Sequence, residues 1–350
     1  MYKTTLHENV RHSGVGRFLI YGLPLLLSLF TACRSHEEQL VRLYGEAQGT
    51  YYSVQYRDSQ QRNLQPQIDS LLQAFDQSAS LWVDSSLLRR INDRQTDSLD
   101  ALLDSLLNYS LAIERYTDGA FNCRVGRLVQ VWGFSFRQRS EPDSTALQAL
   151  LAAAHAPLQS DQGRIQFTDP RTELDFNAIA QGYASDLVAQ LLAHYGIRHY
   201  LIDIGGEVVA RGNKGFRSPW RVGIERPSAD SLSAPVVQTV LPLSDAAVVT
   251  SGSYRKYYER DGVRYSHTIQ PATGRPVEHS LLSATVVERS AWLADAMATA
   301  YMVMGLDSAL SFIAAHPQGP GTETVYFIYD QGGQLATYAT PAFEQMTLQQ

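Results

Sequence analysis

Alternation of polar and apolar residues marks GTYYSVQY, Gly49 to Tyr56, as a strand. Apolar positions at helical spacing predict helices over Ile68 to Ala79, Asp97 to Tyr116 and Thr145 to His155. Leu174 to Phe176 reads as a short strand that leads through Asn177 to Gln181 into a helix near Gly182, and Tyr200 to Ile204 as a second strand ended by Gly205-Gly206. Further on, Thr250 to Ser253 forms a small hydroxyl-rich turn, and YYERDGVRYSHTI reads as a hairpin with Asp261-Gly262 in the tight turn. The almost wholly apolar run after Ser290, stopped by Gly305, predicts a buried helix. Together these elements predict an α+β fold of mixed, mostly antiparallel sheets with packed helices.

Two of these segments carry candidate chemistry. Asp295 lies inside the apolar helix, where a carboxylate needs a cation, a metal or several donors to offset its desolvation. Thr299 is four residues on, so its hydroxyl projects from the same face one turn away. Two hard oxygens on one face suit magnesium or calcium; the competing reading pairs Asp295 with an arginine and lets Thr299 bond back to its own helix. His267 falls near a strand end before the Pro271 to Gly274 turn, a common setting for chemistry, although a lone histidine is more often a packing residue. Between Asp175 and Gly182, the small residues Ala178, Ala180 and Gly182 leave room for a ligand beside the backbone, and the amides opening the next helix can hold phosphate.

SGSYRKYYERDGVRYSHTIQPATGRPV followed by ADAMATAYMVMG resembles the C-terminal signature of the ApbE family, the FAD:protein FMN transferases. The resemblance continues in order through GTYYSVQY, TDGAFNCRVGRLVQVWGF, LDFNAIAQGYASDLVAQLL, YLIDIGGEVVARG and PWRVGIERP, and covers roughly Gly45 to the C-terminus. It implies an ApbE-like fold over 45–350. It also implies Mg²⁺-dependent transfer of FMN from FAD to a Thr or Ser hydroxyl of an acceptor protein, with release of AMP. By the same resemblance the metal ligands map to Asp295, Thr299 and the carbonyls of Ala178 and Ala298, and His267 is a catalytic residue beside Asp295. Flavin contacts map to Gln48, Trp82, the segment Ala120, Phe121 and Asn122, Asp175, Gln181 and Ile269. Family acceptors are subunits of membrane redox complexes such as the Na⁺-translocating NADH:quinone reductase and Rnf. The chain departs from the family pattern at Gln270 and Asn122, where the family has acids, and at Gln181, where it has Lys or Glu. Amides keep hydrogen bonding but cannot act as general bases. Two other activities fit the same residues: an FAD pyrophosphatase, or a non-catalytic FAD-binding lipoprotein.

Composition narrows the picture at two points. The net charge of −6 comes with no basic stripe, which argues against nucleic-acid binding. At the N-terminus, Arg11 and Arg17 precede an apolar run from Phe18 to Phe30 that is short for a membrane span and suits a signal peptide over 1–32. Phe30-Thr31-Ala32-Cys33 resembles a lipobox, so Cys33 is the expected lipidation site and 33–44 the tether of an exported protein anchored at the periplasmic side of a bacterial membrane. Cys123 is then the one cysteine of the domain, which excludes a disulfide framework.

Overall fold

A computed structural model describes residues 38–135, 143–227, 236–253, 257–260 and 263–347. Its centre is an eight-stranded sheet whose strands follow one another in chain order. The strands are β1 (Gln39–Ala47), β2 (Thr50–Asp58), β3 (Tyr200–Ile204), β4 (Glu207–Arg211), β5 (Ala246–Gly252), β6 (Leu281–Glu288), β7 (Val325–Gln331) and β8 (Gln334–Ala339). Every neighbouring pair in this sheet is antiparallel. The remaining elements are insertions between these strands, apart from one helix that follows the last of them.

Five helices, α1 (Gln65–Ala79), α2 (Leu87–Asn92), α3 (Ala101–Tyr116), α4 (Gly126–Val131) and α5 (Ser144–Ala154), are followed by α6 (Ala180–His194), and all lie between β2 and β3. After β6 come α7 (Ala291–Met304) and α8 (Leu306–Ala315), and α9 (Pro341–Thr347) ends the described chain. The period-two alternation of the central strands explains the layering. Val209, Ala247, Val249, Val286 and Phe327 point into one core with Val188, Met297 and Tyr301 of α6 and α7. Their neighbours Val208, Ala210, Val248, Val287 and Ile328 point to the other face. There they meet Trp220 and Leu241 of the hairpin Trp220–Glu225/Val237–Leu243 and Phe343 of α9. Helices therefore cover one face, and this hairpin with α9 covers the other.

The α+β reading holds, and several boundaries move for identifiable reasons. Leu174 to Phe176 is not a strand: Asn92 bonds both the carbonyl (2.9 Å) and the amide (2.8 Å) of Leu174, and the Asp175 amide bonds the Cys123 carbonyl at 2.8 Å. Those backbone groups are satisfied outside any sheet ladder. α3 starts at Ala101 instead of Asp97 because Asp100 caps it, accepting the Leu103 amide at 2.8 Å. Upstream, Asp97 and Leu99 are held by backbone bonds to Ile165 and Gly163. Thr250 to Gly252 continue strand β5 where a turn is expected. The hairpin Tyr257–Arg260/Val263–Ser266 forms as expected, while its Asp261-Gly262 turn lies outside the described residues, as do Cys33 and the segment before it. Among the described residues no helix is long and apolar enough to cross a membrane.

Candidate functional site

Asp295 is buried on α7, and its carboxylate accepts the Gly182 amide, in the first turn of α6, at 3.0 Å. The N-cap position of α6, Ile179, has no side chain able to bond the free amides, so Asp295 supplies the missing acceptor from the neighbouring helix. No ion pair to Asp295 is present among the described residues, so no arginine among them takes the place that the competing reading gave it. Burial, with the nearby Asp186 carboxylate adding to it, pushes Asp295 up to about 7 against the lowering pull of the Gly182 amide. Thr299 does not spend its hydroxyl on its own helix; its Oγ1 lies 3.4 Å from Ser251 Oγ of β5.

The small residue at 182 serves packing. A Cβ there would lie 2.8 Å from Asp295 Cβ and would collide with the Ala291 backbone, so the space expected for a ligand holds the α6–α7 crossing. Ala178, in the turn just before α6, is half-buried against the main core, and Ala298 of α7 is fully buried.

Strand register brings a second group to the same end of the sheet. There the Gln48-Gly49 turn joins β1 to β2 and the Gly205-Gly206 turn joins β3 to β4, with the Gly205 amide bonded to the Tyr51 carbonyl at 3.1 Å. Gly205, at φ +66°, is left-handed backbone, and a Cβ on it would lie 3.0 Å from Gln181 Nε2 and 2.8 Å from Thr50 Cγ2. The side chain of Gln181 thus reaches the turn beside Gln48. Both amide atoms of Gln48 are buried without a hydrogen-bond partner, although its backbone amide bonds Asp76 near the end of α1. A buried, unpaired primary amide is costly and fits a ligand that supplies its partners. Trp82 follows α1 and is 63% exposed, so it is not a core residue.

A third group forms around α4, α5 and the Pro271 to Gly274 turn. The Trp132 indole donates to the Gly274 carbonyl at 2.7 Å, and Ile269 is buried with Leu128 and Leu147. Ile269-Gln270 also packs against α7. His267, two residues before Ile269, is half-buried with its ring edge-on to Phe134 at 6.4 Å. Ala120 is half-buried at the main core and Phe121 is buried within it. Asn122 donates to the Ala154 carbonyl at 3.1 Å and accepts the Arg124 amide at 2.7 Å. Asp175 is fully buried, accepts the Asn177 amide at 2.8 Å, and is pushed by burial to about 6. Cys123 is free and buried, and burial raises its thiol to about 12, which leaves it inert.

The donor chemistry fits a hard cation. Among the described residues there is no group of three or more His, Cys, Asp or Glu able to hold a metal, so a cation near Asp295 must draw on hydroxyls and carbonyls, as Mg²⁺ and Ca²⁺ do. Asp295 offers a carboxylate with no counter-charge among the described residues, and Thr299 and Ser251 offer paired hydroxyls.

Three participants are not evident from the sequence pattern alone. Asp186 accepts the amides of Ala291 and Trp292 at 3.0 Å each, Ser251 meets Thr299, and Gly205 meets Gln181. An acid four residues after Gly182 in an apolar stretch of α6 is the signal that marks Asp186.

Residues 48–322 match the model of the ApbE family. The FAD:protein FMN transferase of Escherichia coli K12 is 35% identical over 89% of this chain and 90% of its own length. That of Vibrio cholerae is 35% identical over 83% and 89%. Among solved structures, the flavin transferase ApbE from Vibrio cholerae superposes with a TM-score of 0.76 at 31% identity, covering 88% of this chain and 99% of that one. The apo flavinyl transferase ApbE of Pseudomonas stutzeri gives 0.77 at 31% identity, covering 89% and 98%.

Proposed function

Since the chain belongs to the ApbE family and is an enzyme of the FAD:protein FMN transferase type, we propose that it uses the Asp295 site to move FMN from FAD onto a hydroxyl of an acceptor protein, with Mg²⁺ and with release of AMP. The observation that carries this reading is the buried Asp295 carboxylate, which has no ion-pair partner among the described residues and is set beside the Thr299 and Ser251 hydroxyls. Asp295 and Thr299, with the carbonyls of Ala178 and Ala298, would hold Mg²⁺. A Mg²⁺ ion held there would supply charge neutralisation for the pyrophosphate and the AMP leaving group.

The protein's own groups do the rest. Gln48 and Gln181 hold FAD polar groups, Trp82 stacks on the isoalloxazine, and Asp175 and the segment Ala120 to Asn122 line the flavin. Asn122 is engaged with Ala154 and Arg124, so its change from the family's acid leaves it a structural amide. His267 takes the proton of the acceptor Thr or Ser hydroxyl as that oxygen bonds to the FMN phosphorus and the bond to the AMP phosphate breaks. Gln270 accepts from Thr273 Oγ1 at 3.1 Å and leaves His267 as the base of that loop. The acceptor is a membrane redox subunit of the NADH:quinone reductase or Rnf type. Lipidation at Cys33 holds the enzyme at the periplasmic face of the same membrane.

The test is metal titration of the FAD-loaded enzyme. Asp295→Ala is expected to lose Mg²⁺ binding and Mg²⁺-dependent AMP release together; unchanged turnover and unchanged metal affinity would move the site elsewhere.

A further inference from the structure

The sheet has two distinct ends. At one lie the Gln48-Gly49 and Gly205-Gly206 turns of the candidate site; at the other lie Gln39, where β1 begins, and the start of β3. The loop after β4 stands at this second end, tied down by the Asn213 amide on His199 Nδ1 (2.9 Å) and the Gly212 amide on Asp245 (3.1 Å). Its tip presents Phe216, 90% exposed, with the Arg217 guanidinium 5.3 Å from the ring centroid and Lys214 exposed beside it. An aromatic ring so bare, held at an anchored loop tip and flanked by two cations, gains nothing from the protein's own fold. Glu38 and Asp58 are paired with Arg57 and Arg62, and Asp245 is occupied by the Gly212 amide.

We propose that this loop docks on an anionic lipid surface, with Phe216 at the headgroup boundary and Lys214 and Arg217 on the lipid phosphates. The inference rests on the reading of Cys33 as the lipid anchor. Six peptide steps separate Cys33 from Gln39, and six residues span at most about 20 Å. The sheet end that bears Gln39 and Phe216 is therefore held close to the bilayer, while the site sits at the far end of strands about 30 Å long. The ring and the cations match the chemistry of a headgroup layer. The docked loop would turn the FAD site away from the membrane, toward acceptor domains that stand off its surface.

The test uses the full-length lipoprotein in vesicles of phosphatidylglycerol and phosphatidylcholine, with and without brominated acyl chains. Phe216→Trp adds a fifth tryptophan to the four native ones. Brominated lipid is expected to remove most of the emission that this substitution adds, and Lys214→Glu with Arg217→Glu in the same chain is expected to restore it. Wild-type protein that floats with the vesicles while the Phe216→Trp emission stays unquenched overturns the loop assignment and leaves the anchor standing. Wild-type protein that does not float, with no acyl mass on its N-terminal peptide, removes the anchor and this proposal with it. Emission that changes only when an acceptor protein is added makes the tip a protein contact and overturns the lipid assignment.

Discussion

Asp186 and Asp295 cap each other's helices. Asp295 of α7 accepts the Gly182 amide at the start of α6, and Asp186 of α6 accepts the Ala291 and Trp292 amides at the start of α7. Asp186 lies four residues after Gly182 and Asp295 four residues after Ala291, so the two helix starts are locked as a reciprocal pair. Both carboxylates are raised by burial, and each orients its partner's helix at the candidate metal site.

Asp186→Ala leaves the two amides at the start of α7 without their acceptor. The expected cost is about 2 kcal/mol, read from the urea midpoint, together with weaker Mg²⁺ binding by calorimetry. Asp186→Asn, which keeps one acceptor oxygen, should fall between. Wild-type stability and metal affinity in Asp186→Ala would show that the reciprocal caps do not set the site.

Gly182→Ala forces a methyl against Asp295 Cβ and the Ala291 backbone. Overpacking of this kind costs about 1–3 kcal/mol, and here it should also displace the carboxylate. Thermal denaturation and Mg²⁺ titration of the variant check both effects; an unshifted melting temperature would mean that the helices can part freely.

How far the sequence reaches is plain from these residues. An acid in an apolar helix with a hydroxyl four residues later makes Asp295 and Thr299 legible, because helical geometry is local. Which partners they meet is not local. The partner that Asp295 does meet is a backbone amide of another helix, and Ser251 and Asp186 reach the site through strand and helix packing that no spacing rule encodes. Leu174 to Phe176 looks like a strand because its two apolar residues alternate with Asp175, yet the Asn92 side chain takes the backbone bonds of Leu174. The sheet itself is simple, each of its strands beside the next in chain order, yet the sequence pattern marks only β2 and β3 among them, and the hairpin it does mark, Tyr257–Arg260/Val263–Ser266, stands outside this sheet.

Asp175 supplies a pH dependence. Its folded value of about 6 exceeds the ordinary 3.8, so the folded state binds the proton more tightly than the unfolded chain. Its stabilising contribution is complete below about pH 4, is lost as pH rises through about 6, and amounts to on the order of 3 kcal/mol. Asp175→Asn, which keeps an acceptor for the Asn177 amide, should flatten that slope in the ligand-free protein. Parallel stability profiles for the two proteins would place the slope on other groups.

Trp82, being exposed, contributes little to the fold. Trp82→Ala should leave the melting temperature within about a degree or two, since exposed substitutions cost little, and weaken FAD binding about tenfold through lost stacking. Equilibrium titration of FAD reads the second effect, and unchanged affinity would take the indole out of the flavin site.

His267→Ala should slow transfer by about a hundredfold or more, the usual share of a general base, with FAD affinity nearly unchanged. Lost affinity with normal turnover at saturating FAD would make His267 a binding residue.

Intact mass spectrometry of an acceptor domain, incubated with FAD, Mg²⁺ and either the wild-type enzyme or Asp295→Ala, tests the central claim most directly. The expected result is an acceptor that gains one FMN, with one AMP released for each, by the wild type alone. Free FMN and AMP with an unmodified acceptor would make the protein a pyrophosphatase, and an equally modified acceptor from Asp295→Ala would contradict the assignment of the site.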